Sequence, residues 1–279
     1  MNVPILRGYV SSRYGQMHYR EVAAPAGGGG RPLVLLHQNP ASSFEYEPLM
    51  REMGRDRRVI ALDTPGYGMS DGPSQPLSIA DYVESFADAL PRLGIEPGRG
   101  CDAYGFHTGA LHVIELALAL PENVRRIALT GLPMRSEAER AERLAIAQAA
   151  PALDEAGTVA LEQARKLWDY VVASRAAGVS LASAAANWID KLRPLDRAQW
   201  AYHGVWSYDF AGRLPLVRQP ALLIQPHEEI VQQSIAAIRL IPDHHIVEMP
   251  QFSRDILDLP PAVTRIAMEL RRFLDENPA

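Results

Sequence analysis

His107 stands at the centre of Gly105-Phe106-His107-Thr108-Gly109, directly after the short apolar run Cys101–Tyr104. This is the spacing of the G-x-S-x-G turn, with an imidazole where a hydroxyl is expected. The glycines have a physical purpose. The central residue of such a strand-to-helix turn is strained, and side chains at the flanking positions would collide with the turn. An imidazole titrates near neutral pH, so proton transfer is the chemistry this position offers. Two later segments end strand-like runs with further reactive side chains. Leu222-Leu-Ile-Gln-Pro226-His227-Glu228-Glu229 supplies carboxylates, and Glu248-Met-Pro250-Gln-Phe-Ser253-Arg254-Asp255 supplies a hydroxyl and a guanidinium.

The elements that must position these groups alternate in type. Residues 8–24 read as a hairpin around Arg13-Tyr14-Gly15-Gln16, and the glycines at 27–30 read as a surface turn, since no helix follows directly. Short apolar runs of the buried-strand kind then occur at Leu33–Leu36, Val59–Leu62, Cys101–Tyr104, Ile127–Thr130, Ala221–Ile224 and His245–Glu248. Amphipathic stretches such as 79–93 and 110–120 separate most of them. The pattern predicts an α/β fold with a mostly parallel sheet and right-handed crossovers. Between Pro133 and Pro215 the strand pattern stops, and only helical patterning is found, at 136–150, 152–176 and 180–192. The expected division is a core of 1–133 and 215–279 with a helical cap over 134–214. All four tryptophans, Trp168, Trp188, Trp200 and Trp206, fall in the cap, where packing its own small core is the simplest role. Trp200 and Trp206, nearest the return to the sheet, are the better candidates for lining a pocket.

Composition narrows the function. At 279 residues and 47% apolar content, the chain suits one large soluble domain. A net charge of −5 disfavours nucleic acid or an anionic membrane as the main partner. The single cysteine, Cys101, permits no intramolecular disulfide and fits a reducing compartment. Met1-Asn-Val-Pro lacks a signal-peptide apolar region and no apolar run reaches spanning length, so a cytoplasmic location is expected. His107 and His112 are five apart and fall on different faces of a helix. His227 with Glu228 and Glu229, and His244-His245, also lack metal-ligand spacing. No phosphate-binding glycine loop is present. Neither a metal nor a nucleotide cofactor is expected.

Three segments in order carry a family resemblance. Val34-Leu-Leu-His37-Gln38-Asn39-Pro40 resembles the HGxP oxyanion loop of α/β-hydrolases, Asp63-Thr-Pro-Gly66-Tyr-Gly68-Met-Ser70-Asp71 resembles their DxPGxGxSD turn, and 105–109 resembles their nucleophile elbow. Pro121-Glu-Asn-Val-Arg-Arg-Ile-Ala-Leu resembles the usual lead into the next strand. Within the family the chain is most similar to the epoxide hydrolase and haloalkane dehalogenase branch, whose loop can read HGNP. The resemblance implies an eight-stranded, mostly parallel sheet flanked by helices, with the cap inserted after the sixth strand.

It also implies a nucleophile, then an acid, then a histidine, in chain order. His107 takes the nucleophile's place and Glu229 the acid's, with Pro226 replacing a glycine. Ser253 takes the histidine's place, or Arg254 if the register slips by one. No histidine lies beyond His245. Serine-ester and aspartyl-ester mechanisms are therefore excluded as written. The expected function is cofactor-free hydrolysis of a small ester, lactone, epoxide or carbonyl compound, with His107 as general base. A narrower version has His107 activating Ser253. The alternatives are an inactive, ligand-binding member of the family, or a lyase using the same base. By resemblance the backbone N–H groups of Gln38 or Asn39 and of Thr108 form the oxyanion hole. The Asn39 side chain is a further candidate for pocket contact, and Phe106 and Tyr67 for pocket walls. Glu229 is the candidate partner of His107, whereas His37 and Asp63 are expected to brace their loops. Substrate identity and oligomeric state stay open.

Overall fold

The computed structural model describes residues 3–276 except Gly28 and Pro97, so the start of the N-terminal segment and part of the glycine run at 27–30 lie outside the described residues. Eight strands form one sheet: β1 (Leu6–Ser12), β2 (Gly15–Val22), β3 (Leu33–Leu36), β4 (Val59–Leu62), β5 (Cys101–Phe106), β6 (Val124–Thr130), β7 (Ala221–Pro226) and β8 (His244–Met249). Their spatial order is β1-β2-β4-β3-β5-β6-β7-β8. β1 and β2 form the expected antiparallel hairpin, closing at Ser12↔Gly15, and β2 pairs antiparallel with β4. All remaining neighbours run parallel.

The apolar runs become central strands because both faces of the sheet are covered. Every residue of β3, β4, β5 and β7 is buried, as expected for parallel strands sandwiched between helices. One face packs against α2 (Ile79–Arg92) and α3 (Thr108–Ala119), the other against α1 (Glu47–Met53) and α10 (Pro260–Leu274). Ser78 starts α2 with a reciprocal capping box to Asp81, which satisfies two otherwise orphaned amides. The run at 245–248 departs from the expectation of full burial. β8 is only partly buried because it is the sheet's edge.

Between β6 and β7 the chain is helical, as the pattern implied. The cap contains α4 (Glu137–Gln148), α5 (Thr158–Trp168), α6 (Leu181–Leu192), α7 (Trp200–Trp206) and α8 (Phe210–Arg213). The stretch expected to be helical over 152–176 is shorter. Residues 149–157 form a loop around Pro151, α5 begins after Gly157 at φ 74°, and a π-helical turn, Asp169–Ala173, ends it. Trp168 and Trp188 meet edge to face with ring centres 5.2 Å apart, and the Trp188 indole N–H donates to the Ala164 carbonyl. That pair packs the cap's own core. Ala201 and Val205 of α7 instead join the buried cluster of α2 and α3, fastening the second half of the cap to the sheet.

Candidate active site

β5 delivers His107 into the turn that precedes α3, with φ 51° and ψ −110°, the one non-glycine residue at positive φ among those described. The flanking glycines are sterically required. A Cβ at Gly105 would lie 2.1 Å from the Gly109 carbonyl oxygen, and one at Gly109 would lie 1.9 Å from the Leu36 carbonyl oxygen. A third glycine was not legible from the turn itself. Gly131, following β6 at φ 72°, lies against the imidazole, and a Cβ there would sit 2.3 Å from Cδ2 and 2.5 Å from Nε2 of His107. The backbone N–H of His107 donates to the Thr130 carbonyl at 2.7 Å, tying the turn to the same strand end.

The partner of His107 is Glu228. Their Nε2 and Oε2 atoms are 2.8 Å apart, with the imidazole 29% exposed and the carboxylate side chain 6% exposed. The expectation that Glu229 fills this place is corrected by one residue. The Phe252 carbonyl accepts the His227 N–H at 2.8 Å, which pins the bend that follows β7. Glu228 turns inward, and Glu229 is exposed at the cavity wall. Gln225 supports the pair by donating from Nε2 to Glu228 Oε1 at 3.0 Å and to the Pro226 carbonyl at 2.8 Å. Burial opposes the charge on Glu228, but the bonds from His107 and Gln225 outweigh it and hold the carboxyl below its ordinary range. A carboxylate at Nε2 fixes the neutral ring as the Nε2–H tautomer. Nδ1 has no protein hydrogen-bond partner among the described residues and is not sealed off, so its lone pair faces the site.

The loop after β3, the candidate oxyanion loop, offers fewer free donors than the sequence allowed. Glu45 accepts both the Gln38 backbone N–H (3.0 Å) and Gln38 Nε2 (2.9 Å). Burial pushes the Glu45 carboxyl above its usual range, against the pull of Lys191 and His37. Gln38 is thus committed to Glu45, and the loop's free donor is the Asn39 N–H. The Thr108 N–H, at the first position of α3, has no intrahelical acceptor. Neither amide has a backbone partner among the described residues. The Asn39 side chain does not reach for a ligand, because Nδ2 donates to the cap's Ala198 carbonyl at 2.8 Å and Oδ1 is buried.

These groups share a cavity of about 930 Å³ between sheet and cap, within the range of small-molecule sites. Phe106 lines it with its ring 4.5 Å from that of His107, and Trp206 lines it while stacked on Tyr202 with the rings 8° from parallel, whereas Trp200 is not on the wall and lies under the Arg197 guanidinium. Ser253 and Arg254 both lie on the wall, and His107 makes no hydrogen bond to either among the described residues. Tyr67 is instead a strut, buried and donating to the Arg197 carbonyl at 2.9 Å. His37 bonds the Gln38 carbonyl through Nδ1 (2.7 Å) and accepts the Thr64 N–H through Nε2 (2.8 Å). Asp63 accepts from Ser43 N–H, Met69 N–H and His18; burial opposes its charge, and these bonds hold its carboxyl at about 2. Both brace their loops. Among the described residues no group of three or more potential ligands forms a metal cluster, and no helix is long and apolar enough to cross a membrane.

Comparison with known proteins places this geometry. The family described as alpha/beta hydrolase fold matches residues 31–167. The chain is 28% identical over 142 residues to the (E)-2-((N-methylformamido)methylene)succinate hydrolase of Acinetobacter baylyi, covering 50% of this chain and 51% of that protein. It is 30% identical over 128 residues to epoxide hydrolase 4 of Mus musculus, covering 45% and 34%. The chain thus spans about half or less of the length of these curated relatives. Among solved structures, the enol-lactonase of Burkholderia xenovorans superposes with a TM-score of 0.78 at 18% identity, covering 96% of this chain and 100% of that one. An epoxide hydrolase of Vigna radiata superposes with a TM-score of 0.77 at 16% identity, covering 97% and 98%, and at such identities the likeness concerns the fold alone. With its eight-stranded sheet, sharp strand-to-helix turn and inserted helices, the chain has the α/β-hydrolase fold, and residues 31–167 match the family model of that description.

Proposed function

We propose that this protein hydrolyses a small organic carbonyl compound, an ester, lactone or related acyl substrate, with His107 as general base. The observation that carries the reading is the His107–Glu228 pair at 2.8 Å, set at the elbow with Nδ1 unengaged. Glu228 orients the ring and stabilises the imidazolium that forms when Nδ1 takes a proton from water. The substrate carbonyl oxygen would accept from the amides of Asn39 and Thr108, two residues that line the cavity with His107, and those amides would stabilise charge as it develops. After water adds, the proton on Nδ1 passes to the leaving oxygen or nitrogen, and His107 returns to its starting state. Hydrolases among the relatives, including the succinate-derivative hydrolase and an uncharacterized carboxylesterase of Bacillus subtilis, support the reaction class.

A panel of 4-nitrophenyl esters, lactones and epoxides tests it on wild type, His107→Ala and Ser253→Ala. Turnover that disappears in His107→Ala and persists in Ser253→Ala supports the base. Loss in both variants favours Ser253 as the group His107 activates. Ligand-dependent thermal stabilisation without any turnover identifies a binding protein.

A further inference from the structure

We propose that Arg175 and Arg254 form an anion subsite in the cavity, which holds a carboxylate carried by the substrate away from its reacting carbonyl. Arg175 lines the cavity from the turn that follows α5. Its Nε donates to the Val179 carbonyl at 3.1 Å and its Nη1 to the Val172 carbonyl at 2.8 Å. Those carbonyls fix the plane of the guanidinium but leave its charge unmatched. No carboxylate oxygen lies within 4.0 Å of it among the described residues. The other cavity cations differ. Lys166 pairs with Glu162 at 2.6 Å, Arg135 with Glu139 at 3.3 Å, and Lys191 lies 3.8 Å from Glu45.

Arg254 reaches the same cap turn from the loop after β8. Its guanidinium lies 3.7 Å from the Tyr170 ring centre, and its Nη2 faces the Tyr170 and Ser174 carbonyls. The carboxylate beside it is Asp255, 3.6 Å from Nε through Oδ1, while Oδ2 accepts the Ala176 N–H at 2.7 Å. Of the two guanidinium groups on this wall, only Arg254 has a carboxylate within 4.0 Å, and Arg175 has none among the described residues. The remaining acids of the cavity are occupied or exposed: Glu228 by His107, Glu45 by Gln38, Asp258 by Asn187 at 2.8 Å, with Glu229 exposed. A half-buried guanidinium held by neutral carbonyls is complementary to a planar oxyanion, and Arg presents the donor fork that a carboxylate accepts bidentately.

The kinetic readout of this proposal rests on His107 as the reacting centre, but a binding readout does not. The experiment compares mono-4-nitrophenyl glutarate with 4-nitrophenyl butyrate, which share a leaving group and differ by one terminal carboxylate. Wild type is expected to favour the glutarate ester in kcat/KM by roughly 10- to 100-fold. In Arg175→Gln and Arg254→Gln that ratio should fall toward unity through KM, and Arg175→Lys should restore part of it. Because the ratio is internal to each variant, partial loss of folded protein does not mimic the result. Equal use of the two esters by wild type, or a preference that survives Arg175→Gln, overturns the subsite while leaving the hydrolase reading in place. If neither ester is turned over, that reading fails for these esters. Glutarate binding to His107→Ala, followed by melting temperature, then decides the subsite alone: stabilisation abolished by Arg175→Gln supports it, and no stabilisation overturns it.

Discussion

Replacing Glu228 with glutamine should inactivate the site by a route that the hydrogen-bond network dictates. Gln225 Nε2 donates to Glu228 Oε1 and also to the Pro226 carbonyl. Turning the Gln225 amide over would set its oxygen against two other oxygens, so the donor stays where it is. In Glu228→Gln the new amide must therefore give its oxygen to Gln225 and aim its NH2 at His107 Nε2. That nitrogen must then be the acceptor, the proton moves to Nδ1, and the base is lost to the wrong tautomer. The variant loses a charge-assisted bond worth about 1.5–3 kcal/mol and gains a preference of about 1 kcal/mol for the unproductive tautomer. A total of ~2.5–4 kcal/mol corresponds to a drop of roughly 70- to 1,000-fold in kcat/KM. The assay is steady-state turnover of any ester the wild type accepts. Adding Gln225→Leu to Glu228→Gln frees the amide to turn, so the double variant should regain part of the loss. Activity of the single variant within about threefold of wild type would refute the reasoning, and a double variant no faster than the single would refute the orientation argument.

Other outcomes follow from the same structure. Gly131→Ala places a Cβ 2.3 Å from the His107 ring at a backbone φ of 72°, so turnover should fall far more than the ~1–2 kcal/mol of stability lost to the left-handed conformation; activity and urea denaturation measured together check it. His112 is fully buried against Tyr82 and Phe86, and burial pushes its imidazole down to about 3. Its folded-state value is depressed, so the unfolded chain binds a proton that the native state refuses, and stability falls as pH drops below about 6.5 toward about 3. Between pH 7.5 and 5.0 this single group should remove ~2 kcal/mol of unfolding free energy, a dependence that His112→Leu abolishes in urea titrations. Asp63→Asn sets an amide NH2 against either the Ser43 N–H or the Met69 N–H and should cost ~3–5 kcal/mol, read as a lower melting temperature.

Much of the fold was legible because its signals are local. Fully buried apolar runs and the glycines at 105 and 109 each follow from the conformation of a few consecutive residues. The helix expected over 152–176 shortened because Pro151 and Gly157 break it, and β8 proved half-exposed because edge position is a property of the whole sheet. The site was legible where the turn itself defines it, at His107 and Thr108, and less so where chain segments meet. Glu228 rather than Glu229 faces His107 in a bend pinned by the His227 bond to Phe252, a contact between two loops. The commitment of Gln38 to Glu45, and the seat that Gly131 makes for the imidazole, likewise depend on side chains that no spacing rule relates. Arg175 had no motif to mark it.

The central claim is that Glu228 holds a neutral imidazole at the elbow with its proton on Nε2 and its lone pair on Nδ1. Nitrogen-15 NMR of protein labelled at histidine, assigned by comparison with His107→Ala, reads that arrangement directly. At pH 8 His107 should show a protonated Nε2 and an unprotonated Nδ1, and the Nδ1 resonance should shift when a hydrolysable ester or its acid product occupies the cavity. A ring protonated on Nδ1 instead, with Nε2 as acceptor, would contradict it.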